Sequence, residues 1–137
     1  MNVASTILGF WVFAVGAAVG SFLNVCIVRL PKGASLIKPG SHCPHCHNAI
    51  RFYDNIPLLS YLILRGKCRR CKARISPRYF LVEGLSGLMA LALFRTFGLS
   101  AELGVYFIFF SALLAVIFID LDTYTIPDVI TLPGIVA

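Results

Sequence analysis

The sequence predicts an all-α integral membrane protein with three spans and the start of a fourth, interrupted by one polar domain. Three observations carry this. The 137 residues are 58% hydrophobic and 13% charged, with a mean hydropathy of +0.86, too apolar for an ordinary soluble domain. The apolar residues gather in long runs that lack charge. Eleven of the twelve Lys and Arg residues fall between Arg29 and Arg78, in a stretch that also holds two C-x2-C pairs.

Residues 1–28 form the first span. They carry no charged side chain, and at about 1.5 Å per residue they exceed a hydrocarbon core of about 30 Å. A cleaved signal peptide would need a basic start and an apolar core of about 7–15 residues. No Lys or Arg precedes Arg29, and the run is too long. The second span is "YFLVEGLSGLMALALF" (79–94), broken only by Glu83, and the third is "LGVYFIFFSALLAVIFI" (103–119), which ends at Asp120. The final "VITLPGIVA" (129–137) reads as a fourth span cut after nine residues. The domain order is therefore span 1–28, basic loop domain 29–78 and membrane core 79–137, with a loop over 120–128.

Charge sets the expected orientation. Against eleven cations, residues 29–78 hold a single acid, Asp54, and a loop this short obeys the positive-inside rule. The loop is expected in the cytoplasm, the N-terminus outside, and Asp120 on the same face as the loop. The same excess attracts anionic membrane lipid. Nothing beyond charge suggests nucleic acid.

Within the basic loop stand "CPHC" (43–46) and "CRRC" (68–71). Two such knuckles supply four thiolates for one tetrahedral zinc, at about 2.3 Å per Zn–S bond. Cys43, Cys46, Cys68 and Cys71 are the expected ligands, and the domain is expected to be a zinc ribbon, mainly loop with short strands. Four thiolates close the coordination shell, which makes the metal structural rather than catalytic. His42, His45 and His47 crowd the first knuckle without being needed. Cys26 lies in the first span and reads as an inert, buried thiol.

Half of the six acids, Asp120, Asp122 and Asp128, stand near the end of the chain. Acids at the C-terminal end of a helix oppose its dipole, so helix stability does not account for them. By helical geometry Asp122 points roughly opposite to Asp120. Glu83, one turn inside its span, is expected to bond polar groups on a neighbouring helix or to approach the end of the basic loop.

Several of these stretches resemble the type IV prepilin peptidases, bifunctional leader peptidases and N-methyltransferases. "GSFLNVCIVRLP" (20–31) is similar to the family's exit from its first span, residues 43–83 to its zinc-binding cytoplasmic domain, and "IDLDTYTIPD" (119–128) to its first catalytic-aspartate motif. The resemblance implies a bacterial inner-membrane aspartyl endopeptidase. Such an enzyme removes the leader of type IV prepilins and pseudopilins at the cytoplasmic face, then methylates the new N-terminus with S-adenosylmethionine. It makes Asp120 the catalytic acid and gives Asp122 and Asp128 no equal role.

The family's second aspartate lies in a Gly-x-Gly-Asp motif, and this sequence contains none. The expectation is a chain that ends before its second catalytic acid, as the N-terminal part of a longer enzyme or as a truncated product. Three functions stay open. One is a peptidase completed by further spans or by self-association. The second is a proteolytically inactive zinc-binding membrane fragment that binds prepilin or assembly partners, and the third is a membrane-tethered zinc ribbon with incidental acids.

Overall fold

The computed structural model describes residues 2–123. Three long helices dominate it: α1 (Val3–Arg29), α3 (Pro77–Phe97) and α4 (Ala101–Thr123). A single-turn helix, α2 (Leu59–Ile63), lies in the loop between α1 and α3. Each long helix has the length and composition to cross a membrane. A spanning helix satisfies its backbone internally, which is what hydrocarbon demands.

Local chemistry sets the helix ends. α1 stops where Pro31 enters a 3-10 turn over Leu30–Lys32, closed by Gly33 at φ 60°. α3 starts at the cap Ser76, whose hydroxyl accepts a hydrogen bond from the Arg78 amide at 3.3 Å, with Pro77 in the first turn. Gly98, at φ 66°, ends it. These signals carry α3 and α4 beyond the apolar runs 79–94 and 103–119.

Residues 120–123 depart from expectation. Asp120 and Asp122 sit in the last turn of α4 and not in a loop; the helix continues because no Pro or Gly intervenes before Pro127. The rest of that loop, Asp128 and the fourth apolar run (129–137) lie outside the described residues. The expected short strands of the ribbon are reduced to two isolated bridges, His42 with Ala49 and Lys67 with Arg74. Each knuckle is too short to extend its ladder further.

Small residues bring α1 and α3 together. A Cβ added at Gly16 would lie 2.6 Å from the Ala90 Cβ, and one at Gly20 would lie 2.7 Å from the Glu83 Cα. Between them Ser86 donates its hydroxyl to the Gly16 carbonyl at 2.7 Å, fully buried. Helices in lipid associate through such close backbone approach rather than through a hydrophobic drive. α4 closes the bundle with Ala115 and Ile119, which join Leu23, Ile27 and Val82 in one buried cluster.

Consecutive spanning helices alternate in direction. The C-terminal ends of α1 and α4 therefore meet the N-terminal end of α3, as the Leu23–Val82–Ile119 cluster records. The cysteine loop hangs from this same end. Apolar side chains such as Trp11, Phe22, Ile108 and Phe109 point outward, as lipid-facing positions do.

Candidate functional site

The two cysteine knuckles are built alike. In the first, the Cys43 amide donates to the Asn48 carbonyl, the His47 amide to Cys43 and the Ile50 amide to Ser41. In the second, Cys68 donates to Ala73, Lys72 to Cys68 and Ile75 to Gly66. Every partner is displaced by 25 positions (43 to 68, 48 to 73, 41 to 66). His47 (φ 55°) and Lys72 (φ 59°) take the same left-handed conformation that turns each knuckle back on itself. The repeat is legible in "CPHCHNAI" and "CRRCKARI", a likeness that reasoning from the cysteines alone passes over.

The knuckles bring four sulfurs together. The Sγ atoms of Cys43, Cys46, Cys68 and Cys71 all lie within 4.8 Å of one another, and those of Cys43 and Cys71 are 3.7 Å apart. A tetrahedral site with Zn–S bonds of about 2.3 Å has sulfur–sulfur edges of about 3.8 Å. The set therefore fits a four-coordinate soft cation with little rearrangement. All four cysteines are free thiols.

The knuckles also divide the thiols electrostatically. The Asn48 side chain and amide bond Cys46 and hold its thiol down to about 6. Backbone amides of Cys71 and Arg70 lower Cys68. Cys71 accepts from the Ala73 amide, yet desolvation and the three neighbouring sulfurs push it up to about 11. Crowded thiols cannot all ionise together without a cation among them.

The histidines stand aside from the sulfurs. The His42 Nδ1 contacts the Gly40 carbonyl at 3.0 Å and its ring stacks on His47. Among the described residues the metal-competent cluster consists of the cysteines alone. Cys26 is buried in α1.

Two tethers, from Arg29 and Glu83, hold the loop to the bundle, and an Arg69–Asp54 pair braces the loop internally. Arg29, at the end of α1, donates to the carbonyls of Ser35 and Pro39 at 2.9 and 2.6 Å. Arg69 of the second knuckle grips Asp54 with two parallel bonds, Nε to Oδ2 at 2.8 Å and Nη2 to Oδ1 at 2.6 Å. Arg69 accordingly holds the Asp54 carboxyl below its ordinary range. Glu83, buried in α3, accepts the Leu58 amide at 2.8 Å. That amide precedes α2 and has no helical partner, so Glu83 caps the loop's short helix from within the membrane core.

The acids of α4 have different fates. Asp122 pairs with Arg78, joining the end of α4 to the start of α3. Asp120 is exposed, next to the buried Ile119, and among the described residues it makes no ion pair. Sequence spacing gave no hint of the Arg78–Asp122 pair, whose members stand 44 positions apart.

Comparison with known proteins gives a consistent picture. The family described as Bacterial Peptidase A24 N-terminal domain matches residues 14–97. A protein of Myxococcus xanthus (strain DK1622) named prepilin leader peptidase/N-methyltransferase is 46% identical over 127 residues, covering 93% of this chain and 38% of its own. One of the same name from Stutzerimonas stutzeri is 43% identical over 141 residues, covering 86% and 49%. A type 4 prepilin-like proteins leader peptide-processing enzyme of Escherichia coli O78:H11 (strain H10407 / ETEC) is 42% identical over 134 residues, covering 85% and 50%. The chain thus spans half or less of the length of these relatives. No solved structure matches it.

Proposed function

The chain belongs to the bacterial A24 peptidase family, matching its N-terminal domain, and from that premise we propose that it serves a membrane aspartyl endopeptidase. The substrate would be the leader of type IV prepilins or pseudopilins. Cleavage would occur at the cytoplasmic face of the bacterial inner membrane, with the N-terminus of this chain outside, and N-methylation of the new terminus would follow. The observation that carries this reading is the placement of Asp120. It is an exposed carboxylate at the end of a spanning helix, without an ion pair among the described residues, on the same bundle end as the cysteine loop.

In this proposal Asp120 is the base that takes a proton from water as the water attacks the scissile carbonyl. The reaction needs a second carboxyl to polarise that carbonyl and share the proton. Asp122 is a poor candidate, because its Oδ2 is already committed to the Arg78 guanidinium. The second acid then comes from Asp128, from further spans or from a second copy of the chain. Cys43, Cys46, Cys68 and Cys71 would hold zinc, which fixes the fold of the loop and takes no part in the reaction.

The family resemblance implies S-adenosylmethionine as methyl donor. A concavity of the loop is lined by Arg65, Lys67 and Arg74, an environment that disfavours a cationic sulfonium, so no residue here is assigned to that step. A second reading, a membrane zinc protein that binds prepilin without cutting it, draws support from the commitment of Asp122 to Arg78. The test is cleavage of a purified prepilin in liposomes by the chain, with Asp120→Asn beside it. Cleavage lost in a variant that keeps its bound zinc supports the peptidase. Equal cleavage by both removes Asp120 from the mechanism, and prepilin binding without cleavage by either favours the second reading.

A further inference from the structure

The second knuckle carries a charge arrangement that the first does without. Its bridge places Lys67 directly across from Arg74. Like charges at opposed positions of a β pair repel and destabilise it. The first knuckle has the same backbone and places His42 across from Ala49. The fold therefore does not require two cations at this bridge.

These cations line a concavity of about 530 Å³, with Arg65, Tyr61, Ser76 and Pro77 completing its wall. The equivalent concavity on the first knuckle, about 340 Å³, is lined by His42, His47 and Ala49 and has no Lys or Arg. Among the described residues no acid neutralises Arg65, Lys67 or Arg74. Asp54 is taken by Arg69, Asp122 by Arg78 and Glu83 by the Leu58 amide.

The place of the concavity narrows the class of anion. Ser76 and Pro77 begin a spanning helix, so this wall lies where the chain enters the membrane. α2, which contributes Tyr61, exposes Leu59, Leu62 and Ile63 at helical spacing. Ile56 and Phe52, just before it, are exposed as well. A ligand suited to cations at a point of membrane entry has an anionic phosphate for the cations and hydrocarbon for the membrane beside them. Basic pockets beside spanning helices hold phospholipid headgroups in this way.

We infer that Arg65, Lys67 and Arg74 form a headgroup site for an anionic phospholipid, with its acyl chains in the membrane beside the start of α3. The site requires no cleavage activity, so it stands or falls separately from the peptidase reading.

The test is native mass spectrometry of the full chain in detergent, titrated with phosphatidylglycerol or phosphatidylcholine. Each cation near an anionic headgroup is worth about fivefold in affinity. Replacing Arg65, Lys67 and Arg74 together by Ala is expected to weaken phosphatidylglycerol binding about a hundredfold on that basis and to abolish the preference over phosphatidylcholine. Replacing the exposed Lys32, Lys38 and Arg70 by Ala removes the same charge elsewhere and is expected to leave the preference within about twofold, since screening confines the effect to nearby cations. Should the triple variant fail to fold, Arg65→Gln alone, at an exposed side chain, carries the test with about a fivefold loss. Equal losses in the two triple variants, or none in the first, overturn the site. Displacement of bound phosphatidylglycerol by millimolar inorganic phosphate would also overturn it as a lipid site and leave a free-phosphate site.

Discussion

Cys46 and Cys71 occupy matching places on their knuckles, yet their thiols are displaced to opposite sides of the ordinary value, to about 6 and about 11. Asn48 lowers Cys46 with both side chain and amide; the matching Ala73 offers Cys71 only an amide, which desolvation and the sulfurs of Cys43, Cys46 and Cys68 outweigh. The sign for metal binding follows. At neutral pH Cys46 is already a thiolate, while Cys71 is a thiol and must lose its proton to become a ligand. Zinc binding near pH 7 is therefore expected to release at least one proton, and affinity should rise at least about tenfold from pH 6.5 to 7.5. Calorimetric titration of the chain in buffers of different ionisation enthalpy measures the released protons directly. An affinity flat across that interval would mean that all four thiols are ionised before the metal arrives. Cys71→Ser should remove tight binding, since the set then holds three thiolates.

At the scale of elements, the α1–α3 contact depends on what Gly16 and Gly20 lack. Gly20→Ala would bring a methyl within 2.7 Å of the Glu83 Cα, which a backbone atom cannot avoid unless the helices part. Overpacking of this kind costs about 1–3 kcal/mol. Because Glu83 also caps α2, parting the helices there should loosen the loop. Gly104→Ala on α4 is the control, since nothing lies within 4 Å of its added Cβ; it should be neutral, or stabilising by up to about 1 kcal/mol from helix propensity. Unfolding of both variants in mixed micelles, followed by circular dichroism, checks the pair, and equal stability would show that the close approach is dispensable. The same contact shows where sequence reading stops. The spans are legible because uncharged length is a local property; their ends, set by Pro31, Ser76–Pro77 and Gly98, lie beyond the apolar runs that marked them. The faces are not legible, since each run is apolar on all sides and no periodicity marks an inner stripe. The four sulfurs were legible from spacing, because a metal demands them together. The Arg78–Asp122 pair and the Glu83–Leu58 bond join residues far apart in the chain, which spacing cannot reveal.

Taken whole, the molecule consists of two parts stabilised by different physics and joined at one end. The bundle holds through close helix contact, the buried Ser86 bond and the Ile27–Val82–Ile119 cluster, none of which involves the loop. The loop buries little: Cys43 and Ser60 are its buried members apart from Gly66, so its order depends on the sulfur cluster, on the internal Arg69–Asp54 pair and on the tethers from Arg29 and Glu83. With zinc held by the four cysteines as proposed, a polar segment of this size without a core would take its folding energy from the metal. Removing zinc with a strong chelator should therefore release the loop and spare the bundle. Trypsin is the suitable probe, because nine of the loop's cations lie between Lys32 and Arg74. With zinc these bonds should be cut slowly; after chelation they should be cut rapidly, leaving α1 apart from an intact α3–α4 fragment still embedded in the micelle. Helical circular dichroism should barely change, since the loop contributes only α2 and one 3-10 turn beyond that which ends α1. The Glu83 cap makes the outcome graded: Glu83→Ala should bring forward cleavage at Arg65 and Lys67 even with zinc bound, because the Leu58 amide then loses its acceptor. If chelation melted the helices as well, the two parts would be one cooperative unit and the bundle contacts insufficient by themselves. If the loop stayed protected, the tethers alone would order it and the metal would be expendable for folding.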